Sequence, residues 1–113
     1  PKAIKYLERG LAIAQEHDEF IINNGIFLQS IGSIFGLMKS FEEALEYIHR
    51  ANQIFRNHGF HLNLARSLYE LSKVHFEKDE FELATEALTE SIQISTEQGY
   101  SLEKIASIKM LIK

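Results

Sequence analysis

The sequence predicts an all-α protein: a right-handed α-solenoid built from antiparallel helix hairpins, with six helices in all. Three observations carry this reading. Aromatic residues close three similar segments, Asp18-Glu19-Phe20, His58-Gly59-Phe60 and Gln98-Gly99-Tyr100, so that the aromatics fall at 20, 60 and 100. Between them the apolar residues recur at helical spacing, and no stretch of four or more alternates as a strand would. A single proline in 113 residues leaves long helices uninterrupted.

Each element follows from that pattern. Helices are expected over 2–17, 20–38, 41–57, 61–77, 81–97 and 101–113. The first rests on Ala3, Leu7 and Gly10, which align with Ala44, Ile48 and Ala51 at an offset of 41, one residue more than the period found later. Leu28, Ile31, Ile34 and Phe35 form the stripe of the second. Ala44, Tyr47, Ile48, Ala51, Ile54 and Phe55 give the third its amphipathic face, and Leu64, Leu68, Leu71 and His75 do the same for the fourth. Ala84, Ala87, Leu88, Ser91 and Ile94 repeat the third helix in the fifth. Leu102, Ile105, Ile108, Met110, Leu111 and Ile112 make the sixth strongly apolar.

The punctuation agrees with these boundaries. Gly59 and Gly99 stand where a left-handed residue stops a helix. Ser40 with Glu43, and Asp79 with Glu82, read as capping boxes, in which each side chain satisfies an orphan amide of the first turn. Strict repeat alignment would instead set Glu80 against Ser40. The organisation expected is a single array: 1–19 as the second helix of a partial repeat, 20–59 and 60–99 as repeats, and 100–113 as a following first helix. The chain opens on Pro1 with no initiator Met, and is expected to be a window of a longer protein.

Composition removes several classes of function. There is no cysteine, hence no disulfide framework, no thiolate metal site and no cysteine nucleophile. The net charge of −4 argues against a nucleic-acid footprint. No apolar run reaches the roughly 18 residues that a membrane-spanning helix needs. No Gly-rich phosphate loop or nucleophile elbow is present. His58 and His61 form an H-x2-H pair, with His17 about one repeat away, but zinc wants three or four convergent ligands. Glu42-Glu43 and Asp79-Glu80 sit at helix starts, where the helix dipole favours negative charge. The expectation is a cytoplasmic binding protein rather than an enzyme, with no metal and no cofactor.

The repeat resembles the tetratricopeptide repeat, a helix–turn–helix unit with the signature W-x2-L-G-x2-Y, A-x3-F and P. Here the signature reads Leu28-x2-Ile31-Gly32-x2-Phe35 and then Phe41, Ala44, Ile48 and Ala51. The next unit reads Leu68-x2-Leu71-Ser72-x2-His75 and then Phe81, Ala84, Leu88 and Ser91. The terminal proline is missing, His75 takes an aromatic position, and the period is 40 rather than 34. A longer period of this kind is similar to repeats in bacterial peptide-responsive regulators, in bacterial sensory proteins and in eukaryotic scaffolds. The resemblance implies that Gly32 or Ser72 lets Ala44 or Ala84 approach closely, and that Phe41 and Phe81 plug the gaps between hairpins.

It also implies a concave partner surface lined by the first helix of each hairpin. Projected onto this chain, that surface carries Asn23, Ile26, Gln29 and Ser33, then Asn63, Arg66, Tyr69, Glu70, Lys73 and Phe76, then Lys109. Ser30, Gly36, Ala106 and Lys113 fall on the same stripe. The second helices turn Glu42, Glu46 and His49, and Glu82, Glu86 and Glu90, outward. A basic, aromatic-containing centre at Arg66, Lys73, Lys109, Tyr69 and Phe76 fits a protein or peptide segment of acidic character. The competing reading makes Arg66–Glu70 and Lys73–Glu77 simple i,i+4 pairs on a wet helix face. Asn23 and Asn63 occupy equivalent positions suited either to a peptide backbone or to local turn bonding. Gly25 and Gly36 have no packing role in the signature; they would admit a ligand or a bend, or else mark a poorly ordered helix or a simple spacer for a bulky neighbour. A second function, self-association through the terminal helices as a homodimer, follows from the apolar sixth helix.

Overall fold

The computed structural model describes residues 1–16 and 20–112. Among them are six helices: α1 (Lys2–Gln15), α2 (Ile21–Leu37), α3 (Phe41–Asn57), α4 (His61–Glu77), α5 (Phe81–Gln98) and α6 (Ser101–Leu111). The expected end of the first helix at His17, the Asp18-Glu19 turn and Lys113 lie outside the described residues.

α2 packs along α3, and α4 along α5, as two antiparallel hairpins. α1 lies against α2, α3 against α4, and α5 against α6, so each hairpin is stacked on the next. Among the first helices α4 also touches both α2 and α6, whereas the second helices α3 and α5 do not touch. The first helices thus form a tight inner layer and the second helices a splayed outer one.

The turns share one geometry. Lys39, Gly59, Asp79 and Gly99 all have positive φ, at 64°, 72°, 59° and 76°. At each, the next amide reaches back to a carbonyl five residues earlier: Ser40 to Phe35 at 2.9 Å, Phe60 to Phe55 at 2.9 Å, Glu80 to His75 at 2.8 Å and Tyr100 to Ser95 at 2.8 Å. These are Schellman stops, which satisfy carbonyls the ending helix cannot.

The two capping boxes expected from the sequence do not form. Ser40 is the N-cap of α3 but makes no side-chain cap bond. Asp79 is the left-handed residue of the turn, and Glu80 takes the N-cap position of α5. A residue committed to ending one helix has the wrong dihedrals to cap the next. Its left-handed backbone costs a non-glycine residue about 1–2 kcal/mol, and the negative charge faces the C-terminal end of the α4 dipole. Asp79→Gly is therefore expected to raise stability by about 1 kcal/mol and Tm by ~4 °C, while Asp79→Ala brings no such gain. Thermal unfolding followed by circular dichroism distinguishes the two variants.

The core changes character along the array. In the first hairpin it is aromatic: Phe55 is fully buried, with Phe27 packed against the same cluster. The positions one period later are Ser95 and Ser67, both buried. Between α4, α5 and α6, Ser91 Oγ bonds the Ala65 carbonyl at 2.9 Å and lies 2.9 Å from Ser107 Oγ, tying three helices through a buried polar contact.

Gly25 and Gly32 both sit where helices nearly touch. A Cβ on Gly32 would lie 2.6 Å from Ile48 Cγ1 and 3.1 Å from the Ala44 carbonyl, as the resemblance implied. A Cβ on Gly25 would run into the Phe55 ring. Of the alternatives open for Gly25, the geometry fits the spacer: the aromatic side chain of Phe55, in the same hairpin, fills the position. At Gly36 the nearest neighbour is Val74 of the next hairpin.

Phe41 is half-buried against the core as expected, but Phe81 is 58% exposed. Its ring turns back onto Phe76 of its own hairpin, with centroids 6.2 Å apart. Phe41 shares its surroundings with Val74 of α4.

Candidate partner-binding surface

The inner layer sets the first helices side by side, so the residues projected onto the concave stripe become neighbours across helices. Two adjoining hollows lie there. One of about 520 Å³ between α4 and α6 is lined by Gln29, Arg66, Tyr69, Glu70, Glu103 and Ala106 among others. One of about 260 Å³ between α2 and α4 is lined by Ser33, Gly36, Phe41, Glu70, Lys73 and Glu77 among others. Glu70 borders both, so they form one surface.

The structure therefore brings together Gln29, Ser33, Arg66, Tyr69, Glu70 and Lys73. Gln29 Nε2 donates to Ser33 Oγ at 3.0 Å, which fixes both side chains one turn apart on α2. The Lys73 ammonium lies 5.5 Å from the Tyr69 ring centroid. Asn23 and Ile26 are exposed and Asn63 is half-buried, and none of the three lines either hollow. Phe76 is engaged with Phe81. Lys109 is exposed on α6 and also lines neither.

Of the cations in the expected basic centre, Arg66 and Lys73 are neutralised. Arg66 Nε donates to Glu103 Oε2 at 3.1 Å across α4 and α6, and Lys73 Nζ pairs with Glu70 at 3.2 Å within α4. At the rim Lys39 pairs with Glu77 at 3.0 Å. Neither of the two i,i+4 pairs read from the sequence is the one formed: Arg66 takes a partner on α6, and Glu77 takes one in the turn between α2 and α3. The surface is a mosaic of paired charges around Tyr69. Exposed pairs of this kind contribute only about 0.2–1 kcal/mol each, so a partner group can exchange with them cheaply.

Glu103 was not anticipated. The signal was present, since 103 lies one period after Asn63 and two after Asn23, on the stripe already traced. Histidine placement followed expectation more closely. His75 is buried, and its Nδ1–H donates to Glu80 Oε1 at 2.9 Å. That hydrogen bond, assisted by Lys78, holds the Glu80 carboxyl below the usual range. His58 stacks on Phe60, with centroids 5.8 Å apart. No group of three metal-capable side chains occurs among the described residues. No helix among them is long and apolar enough to cross a membrane.

Two stacked helix hairpins with small residues at their crossings are the context the signature requires. A family profile described as tetratricopeptide repeat matches residues 25–97. The chain belongs to the tetratricopeptide repeat family. The matched span runs from within α2 to within α5, so it takes in all of α3 and α4 and most of α2 and α5. Neither a curated protein nor a solved structure matches the chain. Tetratricopeptide arrays are protein–protein interaction scaffolds, and that is the class of activity this chain shares.

Proposed function

We propose that this tetratricopeptide array holds a peptide segment of a partner protein on its concave face. It would do so as the regulatory or sensory portion of a larger cytoplasmic signalling protein. The observation carrying this reading is the continuous surface from Gln29 through Tyr69 to Glu103, where three first helices meet and polar, aromatic and charged groups alternate. Arg66 and Lys73 are its cations. Each is already salt-bridged to a glutamate, so an acidic partner side chain would bind by exchange: it takes Arg66 from Glu103 or Lys73 from Glu70. Tyr69 supplies an apolar face beside them. Catalysis is not part of the proposal.

The test is selection of binders from a random peptide library, followed by mapping of the selected peptides through backbone amide shifts. Peptides are expected to perturb Gln29, Arg66, Tyr69 and Lys73. Arg66→Glu is expected to weaken them by about tenfold, the scale of one exchanged ion pair. Peptides that leave all four amides unmoved overturn the reading.

A second reading, self-association, is favoured by the apolar side of α6. Leu102 is 79% and Ile112 is 77% exposed there, and Ile105 and Leu111 are exposed as well. A homodimer through this helix would bury them. Sedimentation velocity at micromolar concentration decides the matter, and a monomer excludes it.

A further inference from the structure

The outer layer holds a second cavity that the concave-face reading does not use. Because α3 and α5 splay apart over α4, a slot of about 680 Å³ opens between them. Its floor includes Leu68, Leu71 and His75 of α4. Glu46 and Asn52 stand on the α3 side, and Glu86 on the α5 side. Ion pairs tie α3 to the second hairpin at both ends: Lys78 Nζ to Glu42 Oε1 at 2.8 Å, and a two-pronged contact of Arg56 with Glu90. From Glu42 to Arg56 an α-helix rises about 21 Å. That is the length of about six residues of extended chain.

Two features of the slot are unspent. Asn52 is 6% exposed, and its Oδ1 has no hydrogen-bond partner among the described residues. A buried amide oxygen without a partner is costly, and this one belongs to a side chain that lines a cavity. Independently, Glu46 and Glu86 occupy equivalent positions on the two outer helices, both exposed and both without an ion pair among the described residues. Two guanidiniums line the slot as well: Arg56 is held by Glu90, and Arg50, with no carboxylate partner among the described residues, lies over the Tyr47 ring at 5.5 Å. Partial burial, followed by the neighbouring His75, lowers the pKa of His49, which adds an acceptor rather than a charge. The slot therefore presents an apolar floor, an unsatisfied acceptor and three carboxylates (Glu46, Glu86 and Glu90) against two guanidiniums (Arg50 and Arg56), so its lining is negative on balance. Its complement is a donor-rich, cationic chain.

We propose that the slot between α3 and α5 binds a short extended segment of another protein, with a lysine or arginine side chain set between Glu46 and Glu86 and a backbone amide donated to Asn52. Apolar residues flanking the cation rest on Leu68 and Leu71. This site faces away from the concave surface and has the opposite charge preference, so one array can hold two unlike segments at once.

The probe is the capped pentapeptide acetyl-Gly-Leu-Lys-Leu-Gly-amide, titrated into the isotopically labelled full chain, with a glutamate-for-lysine peptide beside it. The lysine peptide is expected to shift the amides of His49, Asn52 and Glu86 saturably, with a Kd of about 1 mM or tighter. The glutamate peptide should not. Exchanging both rim carboxylates (Glu46→Gln with Glu86→Gln) should weaken the lysine peptide by about tenfold or more. Asn52→Leu should weaken it while leaving Tm unchanged or higher, because it removes the unpaired buried oxygen. If Asn52→Leu does not fold, the exposed carboxylate pair still carries the test. Absence of a saturable shift overturns the proposal. So do equal binding of the two peptides, shifts centred on Arg66 and Lys73, or slot shifts that appear on concentrating the protein alone. The concave-face reading survives each of those results, since its own test uses selected peptides and different amides.

Discussion

Truncation of Phe55 to alanine is expected to cost about 3–5 kcal/mol, the range for removing a fully buried aromatic ring. Phe55 is 1% exposed and fills the space left by Gly25 on the facing helix. For a domain of this size such a loss lowers Tm by ~15 °C or more. The sharper result concerns the partner position. In the native background Gly25→Ala is expected to destabilise by about 1–3 kcal/mol, because the new Cβ collides with the ring edge and the packed core cannot yield. In the Phe55→Ala background the same change is expected to stabilise by about 1 kcal/mol. The collision is gone, part of the cavity is filled, and alanine is the better helix former. The chain already contains this exchange, since Ala65 and Ser95 occupy the equivalent positions one period on. A double-mutant cycle by chemical denaturation reads the coupling. The same sign for Gly25→Ala in both backgrounds would show that the contact does not govern the site.

Gly32→Val is expected to be comparably damaging, at about 3 kcal/mol, and to resist rescue. The contrast with Gly25 lies in what the new atom meets. At Gly32 the neighbours are Ile48 Cγ1 at 2.6 Å but also the backbone of α3, with Ala44 O at 3.1 Å and Ile48 N at 3.2 Å. Trimming Ile48 to alanine clears the side chain and leaves the backbone where it was. The α2–α3 pair must then separate, and the buried Ala44 and Ile31 lose contact with their surroundings. Equilibrium unfolding of Gly32→Val with and without Ile48→Ala checks this. Recovery of stability in the double variant would mean that the crossing is held by the side chain and not by the backbone.

The two glycines mark how far the sequence could be read. Gly32 falls inside a signature, so its packing role was legible from its position alone. Gly25 does not, and its partner lies 30 residues away on another helix, so the pattern of one helix carried no trace of Phe55. The turns divide in the same way. Gly59 and Gly99 announce left-handed residues because glycine adopts that conformation freely. Lys39 and Asp79 adopt it at the same place in the turn without a glycine to announce it, and for that reason Asp79 looked like a cap and is not one.

Charge was the least legible property. Of the stripe read from the sequence, Gln29, Ser33, Arg66, Tyr69, Glu70 and Lys73 line the two hollows while Asn23, Ile26, Asn63, Phe76 and Lys109 do not, and the basic character expected of it is offset by glutamates. Arg66 and Glu103 meet only because α4 and α6 lie side by side. A count along one helix sees the cation and misses the carboxylate that neutralises it.

Taken alone, the sequence determined the class of this protein: six amphipathic helices at a 40-residue period, paired into hairpins of the tetratricopeptide family. Periodicity, turn residues and small crossing residues are local signals, and each is written within about one helix length. Only the tertiary structure decided where charge is free and where space is open. Stacking draws α2, α4 and α6 together on the inner side and parts α3 from α5 on the outer side. That difference in spacing pairs the cations of the concave face and leaves Glu46, Glu86 and Asn52 around an open slot. Such a distribution arises from helix-to-helix distance, a quantity that no single segment of the chain encodes.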